Sequence, residues 1–466
     1  MRTIKVFVVL AGLAVGSACS DLTVPDYNNP GLDELTTNPT RSAVLAAATG
    51  LLVGTREGVQ RQNGYLSLLG IIGRESYNFD AADPRFITQM LIGPLDGGTP
   101  AFGGNLCGAP YANMRGADIL LRALDAVTGM SDEEKASTRG FAKTIMALDL
   151  LNVINTRDAL GAVVDVTESP TGEPAPVASK TEVFTRIESL LDDAVTDLGA
   201  GGTTFPFPLS SGFTGFDTPA TFVAFNRSLR ARVAVYAGDF GGALTALASS
   251  FVSGSASLDL GVYHAFSTGS GDQTNLLYDP EGAAIVAHPS IETDAQLKGN
   301  GQPDDRFTRK TFRLTAPATD QASQGMSTTL GFQVYPGITA PVPIIRNEEL
   351  ILLRAEANLG LGQDAPALTD INLIRATSGG LDPIDTGVWA GLSDADQLTE
   401  LLYNKRYSLL FEGHRWIDVR RYDRLSTLPR DVSGHAVFPY FPFPVAECLS
   451  RTSQPGQGCS PVSGIP

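Results

Sequence analysis

A helix–turn–helix layout occurs twice in this chain, and it restricts the possible folds more than any other feature. Phe222 to Ala237 has a helical pattern, Gly238-Asp239 breaks it, and Gly241 to Phe251 resumes it. Asn347 to Leu359 is patterned in the same way, with Leu350, Leu353 and Ala357 on one face. Residues 360–364 form the second break, with Gly360 as C-cap and Asp364 as N-cap. Ala365 to Thr377 follows, with Ala367, Ile371 and Ile374 facing inward. Small residues at the crossing and a Gly–Asp turn are what tetratricopeptide-type hairpins use to pack closely. Such hairpins bury their apolar faces by stacking, which builds a curved superhelix.

Other stretches extend this helical reading. Helices are expected from Pro39 to about Arg56, from Tyr65 to about Ile72 and from Tyr111 to Val127. The capping boxes Ser131-x-x-Glu134 and Ser179-x-x-Glu182 open helices that should reach Asn155 and Leu198. Ser393 caps another, expected to continue to Glu412, where Gly413 interrupts it before a short basic helix. Between the hairpins, residues 253–345 lose helical periodicity and read as loops, with a short strand at Phe332–Tyr335. The aromatic, Pro-rich tail from Val437 is expected to pack as an extended arm. The 49 Gly and 29 Pro fit so many turns.

The net charge of -16 argues against a nucleic-acid binder, which needs a basic face for phosphates. At the N-terminus, Arg2 and Lys5 precede an apolar run, Val6 to Val15, that is too short to span a bilayer. Gly16-Ser17-Ala18 and Cys19 then complete an export signal with a lipobox-like cleavage site, so Cys19 is the expected lipidation point. Gly16-x-Ala18 also satisfies an ordinary signal peptidase. Export permits disulfides, and Cys448 and Cys459 flank a Pro/Gly/Ser-rich loop as a plausible local staple. Cys107 is left over, as a buried thiol.

Catalytic patterns are sparse. There is no Walker loop, no G-x-S-x-G and no H-E-x-x-H, and no Cys or His spacing resembles a zinc site. Asp192-Asp193 and Asp304-Asp305 read as ordinary surface carboxylates rather than a glycosidase pair. Asp272 and Asp279 lie in a Gly-rich loop but lack EF-hand spacing, so neither a metal nor a cofactor is expected. For ligand binding, Arg74, Tyr77 and Asn78 combine a planar donor, an aromatic face and an amide, which suits a sugar or a peptide. Residues 253–345 add Tyr263, Phe266 and Tyr278. Residues 403–422 mix core-type side chains with dense charge, and His414 between Glu412 and Asp418 first suggests acid–base chemistry. With no nucleophile nearby, the preferred reading is architectural: Arg406, Glu412, Arg415 and Asp418 pair with one another while Phe411 and Trp416 fill the core.

Several of these stretches resemble the SusD/RagB nutrient-binding outer-membrane lipoproteins. Residues 24–30 are similar to the family's segment after the lipidated Cys, and residues 345–357 to its R-x-x-E…R-A-E-A helix. Asp370 to Arg375 is similar to its I-N-x-I-R helix, and Phe441 to Pro444 loosely to its L-P-I-P end. Residues 411–421 resemble its most specific signature, F-E-G-x-R-W-x-D-L-R-R. The resemblance implies a mostly α fold, with tetratricopeptide-like helical hairpins packed against an irregular, loop-rich ligand-binding side. It implies a lipid-anchored, surface-exposed outer-membrane protein that is not an enzyme. Such a protein passes oligosaccharides or peptides to a SusC-like TonB-dependent barrel. It also implies an order along the chain: signal peptide 1–18, tether 19–37, N-terminal helical region 38–252 and C-terminal SusD/RagB region 253–466. The last comprises the insert 253–345, the hairpin 346–378, the signature helices 393–425 and the tail 437–466. With Trp389 and Trp416 the only tryptophans, a broad aromatic arc for starch is not expected. A secreted glycan-active enzyme and a protein-binding tetratricopeptide scaffold are the alternatives.

Overall fold

The computed structural model describes residues 32–98, 105–167, 172–278, 284–320, 322, 324–451 and 459–465. The expected signal peptide, Cys19, residues 24–30 and Asp279 lie outside the described residues. Where the tether was expected to continue, Leu32–Thr36 forms a short helix, α1.

Helices follow in the order the patterning demands. They are α2 (Arg41–Arg56), α3 (Tyr65–Ile72), α4 (Asn105–Ala126), α5 (Asp132–Arg157), α6 (Lys180–Gly199), α7 (Pro219–Ala237) and α8 (Phe240–Leu247). After the insert come α9 (Asn347–Gly360), α10 (Asp364–Thr377), α11 (Asp394–Ser408), α12 (Arg415–Arg421) and α13 (Val445–Ser450). Both capping boxes form: Ser131 Oγ accepts from the Glu134 amide and Ser179 Oγ from the Glu182 amide, and each Glu returns to its cap's N–H. Thr218 caps α7, with Pro219 in the first turn where no N–H is needed. The two expected hairpins are α7–α8 and α9–α10, and α8 packs on α9, so they stack directly. Chain-order neighbours α4, α5, α6 and α7 extend the same layer. Asp364 is the first residue of α10, and Gln363 holds the cap position.

The helix expected to run to Glu412 ends at Ser408. Phe411 (φ 61°) and Gly413 (φ 83°) are both left-handed, which no continuing helix allows. Gly413 suits this conformation, whereas Phe411 is held there by its packing: its ring is fully buried and stacks on Phe332 at 4.5 Å.

Residues 253–345 are less loop-like than expected. They supply β4 (Gly261–His264), β5 (Ile285–Ala287), β6 (Thr311–Thr319), β7 (Ser327–Phe332) and most of β8 (Val342–Arg346). β4 pairs with β8, β6 with β7, and β5 with β1 (Ser76–Asn78), all antiparallel; β2 (Ala162–Val163) and β3 (Val177–Ala178) make a fourth pair. Each sheet has two strands, and β6 is largely solvent-facing, so no long apolar alternation marked them in the sequence.

One hydrophobic core runs from Val44 in α2 to Val462 near the end of the chain. A second lies under the insert, where Phe266, Leu277, Phe332 and Tyr335 meet Tyr407, Leu410 and Phe411. The tail is the expected extended arm only as far as Pro444, where α13 begins: Phe438 and Phe441 are fully buried, and Trp416 Nε1 donates to the Phe438 carbonyl at 2.8 Å.

Candidate functional site

The charged stretch 403–422 is embedded in the protein, and its ion pairs reach far along the chain. Lys405 Nζ donates to Glu356 (2.6 Å) and Asp418 (2.7 Å), all buried. Arg421 joins the same two carboxylates, and Tyr422 Oη donates to Glu356 at 2.8 Å. Glu412 accepts from Arg346 at 2.9 and 3.2 Å and lies 3.4 Å from Lys310. Arg406 pairs with Asp294 at 2.6 Å. Arg415 pairs with no described carboxylate; its Nε donates to the Gly73 carbonyl at 3.0 Å. The expectation that Arg406, Glu412, Arg415 and Asp418 pair with one another is therefore corrected. Asp418 of α12 pairs with Lys405 of α11 and with Arg421, while Glu412 and Arg406 meet partners on β8 and the insert.

His414 is buried, and its Nδ1 lies 3.0 Å from Tyr236 Oη. Burial, with Arg232 nearby, pushes the imidazole down to about 3, so it is neutral at ordinary pH. It faces a pocket of about 40 Å³, shared with Glu412 and Arg232, which is far too small for a substrate.

The ligand candidates separate into three places. Arg74 is fully buried and donates to the carbonyls of Ile71, Ile72, Pro429 and Ala436. Tyr77 lies in the β1–β5 pair, stacked on Phe79 at 5.1 Å and beside His288. Asn78 is buried, and its Oδ1 accepts from the Asp80 amide. These three are thus corrected to internal residues: the β1–β5 pairing draws the segment into the core, where the Arg74 donors serve backbone carbonyls. Tyr263 lines a recess of about 290 Å³ against α2. Tyr278 lies at an open cleft of about 920 Å³.

Three chain segments and Ile338 build that cleft: the segments are the α2–α3 turn (Gln60–Asn63), the loop around Asp80 to Phe86, and the loop Ser267 to Tyr278. The last is pinned at both ends. Arg56, at the end of α2, pairs with Asp272, while Ser267 Oγ donates to the same carboxylate at 2.7 Å. Buried Asn275 donates to the Ala340 carbonyl at 2.9 Å, and its Oδ1 accepts from the Leu277 amide. Gln60 Nε2 bonds Gln273 Oε1 at 2.9 Å across the floor, and Gln273 Nε2 reaches Glu57. In contrast, the side chains of Gln62, Asn63 and Tyr278 line the cleft with no hydrogen-bond partner among the described residues. The walls therefore offer two free amides, a phenol with its ring, and the carboxylates of Asp80 and Asp83. The α2–α3 turn went unnoticed in the sequence, although Gln60-Arg61-Gln62-Asn63 between Gly58 and Gly64 is a polar, amide-rich loop of the kind that binds ligands.

Catalytic groupings are accounted for structurally. Ser290, His288 and Asp431 lie within hydrogen-bond reach of one another, at 2.8 and 3.0 Å. However, His288 Nδ1 accepts the Ser290 amide and Ser290 Oγ accepts from Arg406, all inside the protein, so the serine is not an activated nucleophile. Asp304 is fully buried with Arg306, and Asp192 pairs with Arg227. No group of three or more potential metal ligands occurs among the described residues. Cys448 and Cys459 are disulfide-bonded, and Cys107 Sγ accepts from Arg157 in the core.

Residues 302–455 match the family model described as the SusD family. A stretch of 126 residues is 28% identical to "SusD-like protein P38" of Formosa agariphila, covering 26% of this chain and 25% of that protein. NanU of B. fragilis superposes with a TM-score of 0.65 at 15% identity, over 91% of this chain and 97% of that one. A structure titled "Laminarin binding SusD-like protein" superposes with a TM-score of 0.59 at 16% identity, over 88% of this chain and 98% of that one. The chain is SusD-like. The SusD-matching region holds the α9–α10 hairpin, the buried ion network and the tail. The cleft comes almost wholly from outside it, with Ile338 as its single lining residue from that region. The SusD-matching region thus contributes little to the cleft. Both tryptophans are in the interior, so no tryptophan arc lines it. No helix among the described residues is long and apolar enough to cross a membrane.

Proposed function

We propose that this SusD-like protein is a non-catalytic nutrient-binding subunit that captures an oligosaccharide in the cleft bounded by Asn63, Asp80 and Tyr278. The observation that carries the reading is the cleft's lining. The free amides of Gln62 and Asn63, beside the Asp80 carboxylate, match vicinal hydroxyls, and a half-exposed tyrosine ring offers a stacking face at the rim. The laminarin-binding SusD-like neighbour of the same fold supports a glycan over a peptide. In this reading Cys19 carries the lipid anchor at the outer-membrane surface, and the captured glycan passes to a SusC-like TonB-dependent barrel.

Calorimetric titration of the purified protein against a panel of soluble glycans and short peptides tests the proposal. At least one glycan class should bind, and Tyr278→Ala or Asn63→Ala should weaken it about tenfold or more, the loss of roughly 1.4 kcal/mol. Peptide binding alone, or glycan affinity unchanged in both variants, would sink the reading.

A further inference from the structure

The lining of the cleft includes an apolar part that sugar hydroxyls do not explain. Leu276, Ile338 and Tyr278 line it and are 50%, 46% and 36% exposed. Single apolar side chains at a surface are ordinary, but a group of them gathered at a concave site marks a binding surface. These three are held outward by their neighbours. Asn275 and Leu277 are buried, while Leu276 and Tyr278 beside them are exposed, so the loop turns alternate side chains to the core and to the cleft. The Asn275 amide donates to the Ile338 carbonyl at 2.7 Å, and the Asn275 side chain donates to the Ala340 carbonyl. These bonds tie the Ser267–Tyr278 loop to residues 338–340, which sets Leu276 and Ile338 on the same wall. The place in the core beneath is taken by Leu277.

The polar part of the lining carries negative charge. Arg61 pairs with Glu57, Asp272 with Arg56 and Asp83 with Arg85. Asp80 has no cationic partner among the described residues, and its Oδ1 accepts from the Ala82 amide at 2.9 Å. A carboxylate without a counter-ion repels an anionic sugar, so uronic acids do not suit the cleft. The fitting ligand is uncharged, with hydroxyls for Gln62, Asn63 and Asp80 and a hydrocarbon group for Leu276 and Ile338. An ordinary hexose meets the second need poorly, because its C6 carries a hydroxyl that an aliphatic wall leaves without a partner. A 6-deoxyhexose has a methyl group at that carbon.

We infer that the cleft selects a glycan bearing 6-deoxyhexose residues, with the C6 methyl against Leu276 and Ile338 and the ring hydroxyls on Gln62, Asn63 and Asp80. The inference rests on the glycan reading of the cleft and narrows it to a substrate class. Moving a methyl group from water to an aliphatic wall is favourable, whereas the parent hexose must desolvate a hydroxyl there, so both effects favour the deoxy sugar.

Titration of the whole protein against matched sugars tests the inference: L-fucose with L-galactose, L-rhamnose with L-mannose, and 6-deoxy-D-glucose with D-glucose. The members of each pair differ only in the C6 hydroxyl. In at least one pair the deoxy sugar should bind about tenfold more tightly or better, the usual discrimination by one such group at an apolar site. Leu276→Ser and Ile338→Ser, both at exposed positions, should abolish that preference without lowering the melting temperature. Asn63→Ala should instead weaken both members of the pair alike. The inference fails if the two members of every pair bind equally or not at all, or if the preference survives in both serine variants. Glycan binding with no deoxy preference leaves the glycan reading standing and overturns only the narrower one, whereas peptide binding alone removes both.

Discussion

At the residue scale, the buried charges decide stability. Glu412 neutralises Arg346 and Lys310 inside the protein, so Glu412→Ala strands positive charge in a low-dielectric interior. Chemical denaturation should show a loss of about 3–5 kcal/mol, the usual cost of breaking a buried pair. A variant of unchanged stability that failed only in ligand binding would mean that the stretch is functional instead. Asp149 gives a different signature. Thr55 and Asn113 donate to it, yet burial pushes its carboxyl up to about 7. The folded protein therefore holds a proton there that the unfolded chain releases above about pH 4. The resulting stability is full below pH 4 and is lost as pH rises toward 7. Asp149→Asn removes that dependence. The variant should gain on the wild type from pH 4 to 7, by up to about 1.4 kcal/mol per pH unit. Parallel pH profiles would refute the assignment. Residue identity also limited what could be read in advance. Arg74 and Tyr278 are both plausible ligand groups by type, and only tertiary contacts, the Pro429 and Ala436 carbonyls for one and a pinned loop for the other, separate the carbonyl-bound core residue from the exposed one.

At the element scale, helices were legible wherever a local signal fixed an end. Ser131 and Ser179 begin α5 and α6 as their capping boxes require. The end of α11 was not, because a left-handed Phe411 depends on its aromatic neighbours rather than on local propensity. The strands of residues 253–345 escaped notice because they pair with partners far off in the chain, β1 with β5 and β4 with β8. The cleft inherits that difficulty, since its walls come from segments about two hundred residues apart. Close helix packing yields a test of its own. A Cβ on Gly140 of α5 would approach the Ala194 carbonyl oxygen of α6 to 2.8 Å and Leu198 Cγ to 2.6 Å. Gly140→Ala should raise intrinsic helix propensity by about 1 kcal/mol yet lower net stability, because overpacking costs about 1–3 kcal/mol. A raised melting temperature would show that the α5–α6 contact has slack.

At the scale of the whole molecule, the main core draws on α2, α4, α5, α6, α7, α9, α12 and the tail together. Residues 38–252 therefore lack much of their packing when separated from the rest. Expressed alone, they should show no cooperative melting transition, whereas residues 32–466 should melt as one unit. A folded N-terminal piece would overturn this. The closing contacts lie at the far end of the chain. Val462 exchanges both backbone hydrogen bonds with Leu95, Val437 does the same with Ile465, and the Ala436 amide reaches the Leu91 carbonyl. During synthesis, the surroundings of Leu91 and Leu95 thus stay open until some 370 further residues have emerged. This order of assembly leaves the early segments without their closing contacts until then, and it defers the final locking step to the moment the last strand-like residues arrive.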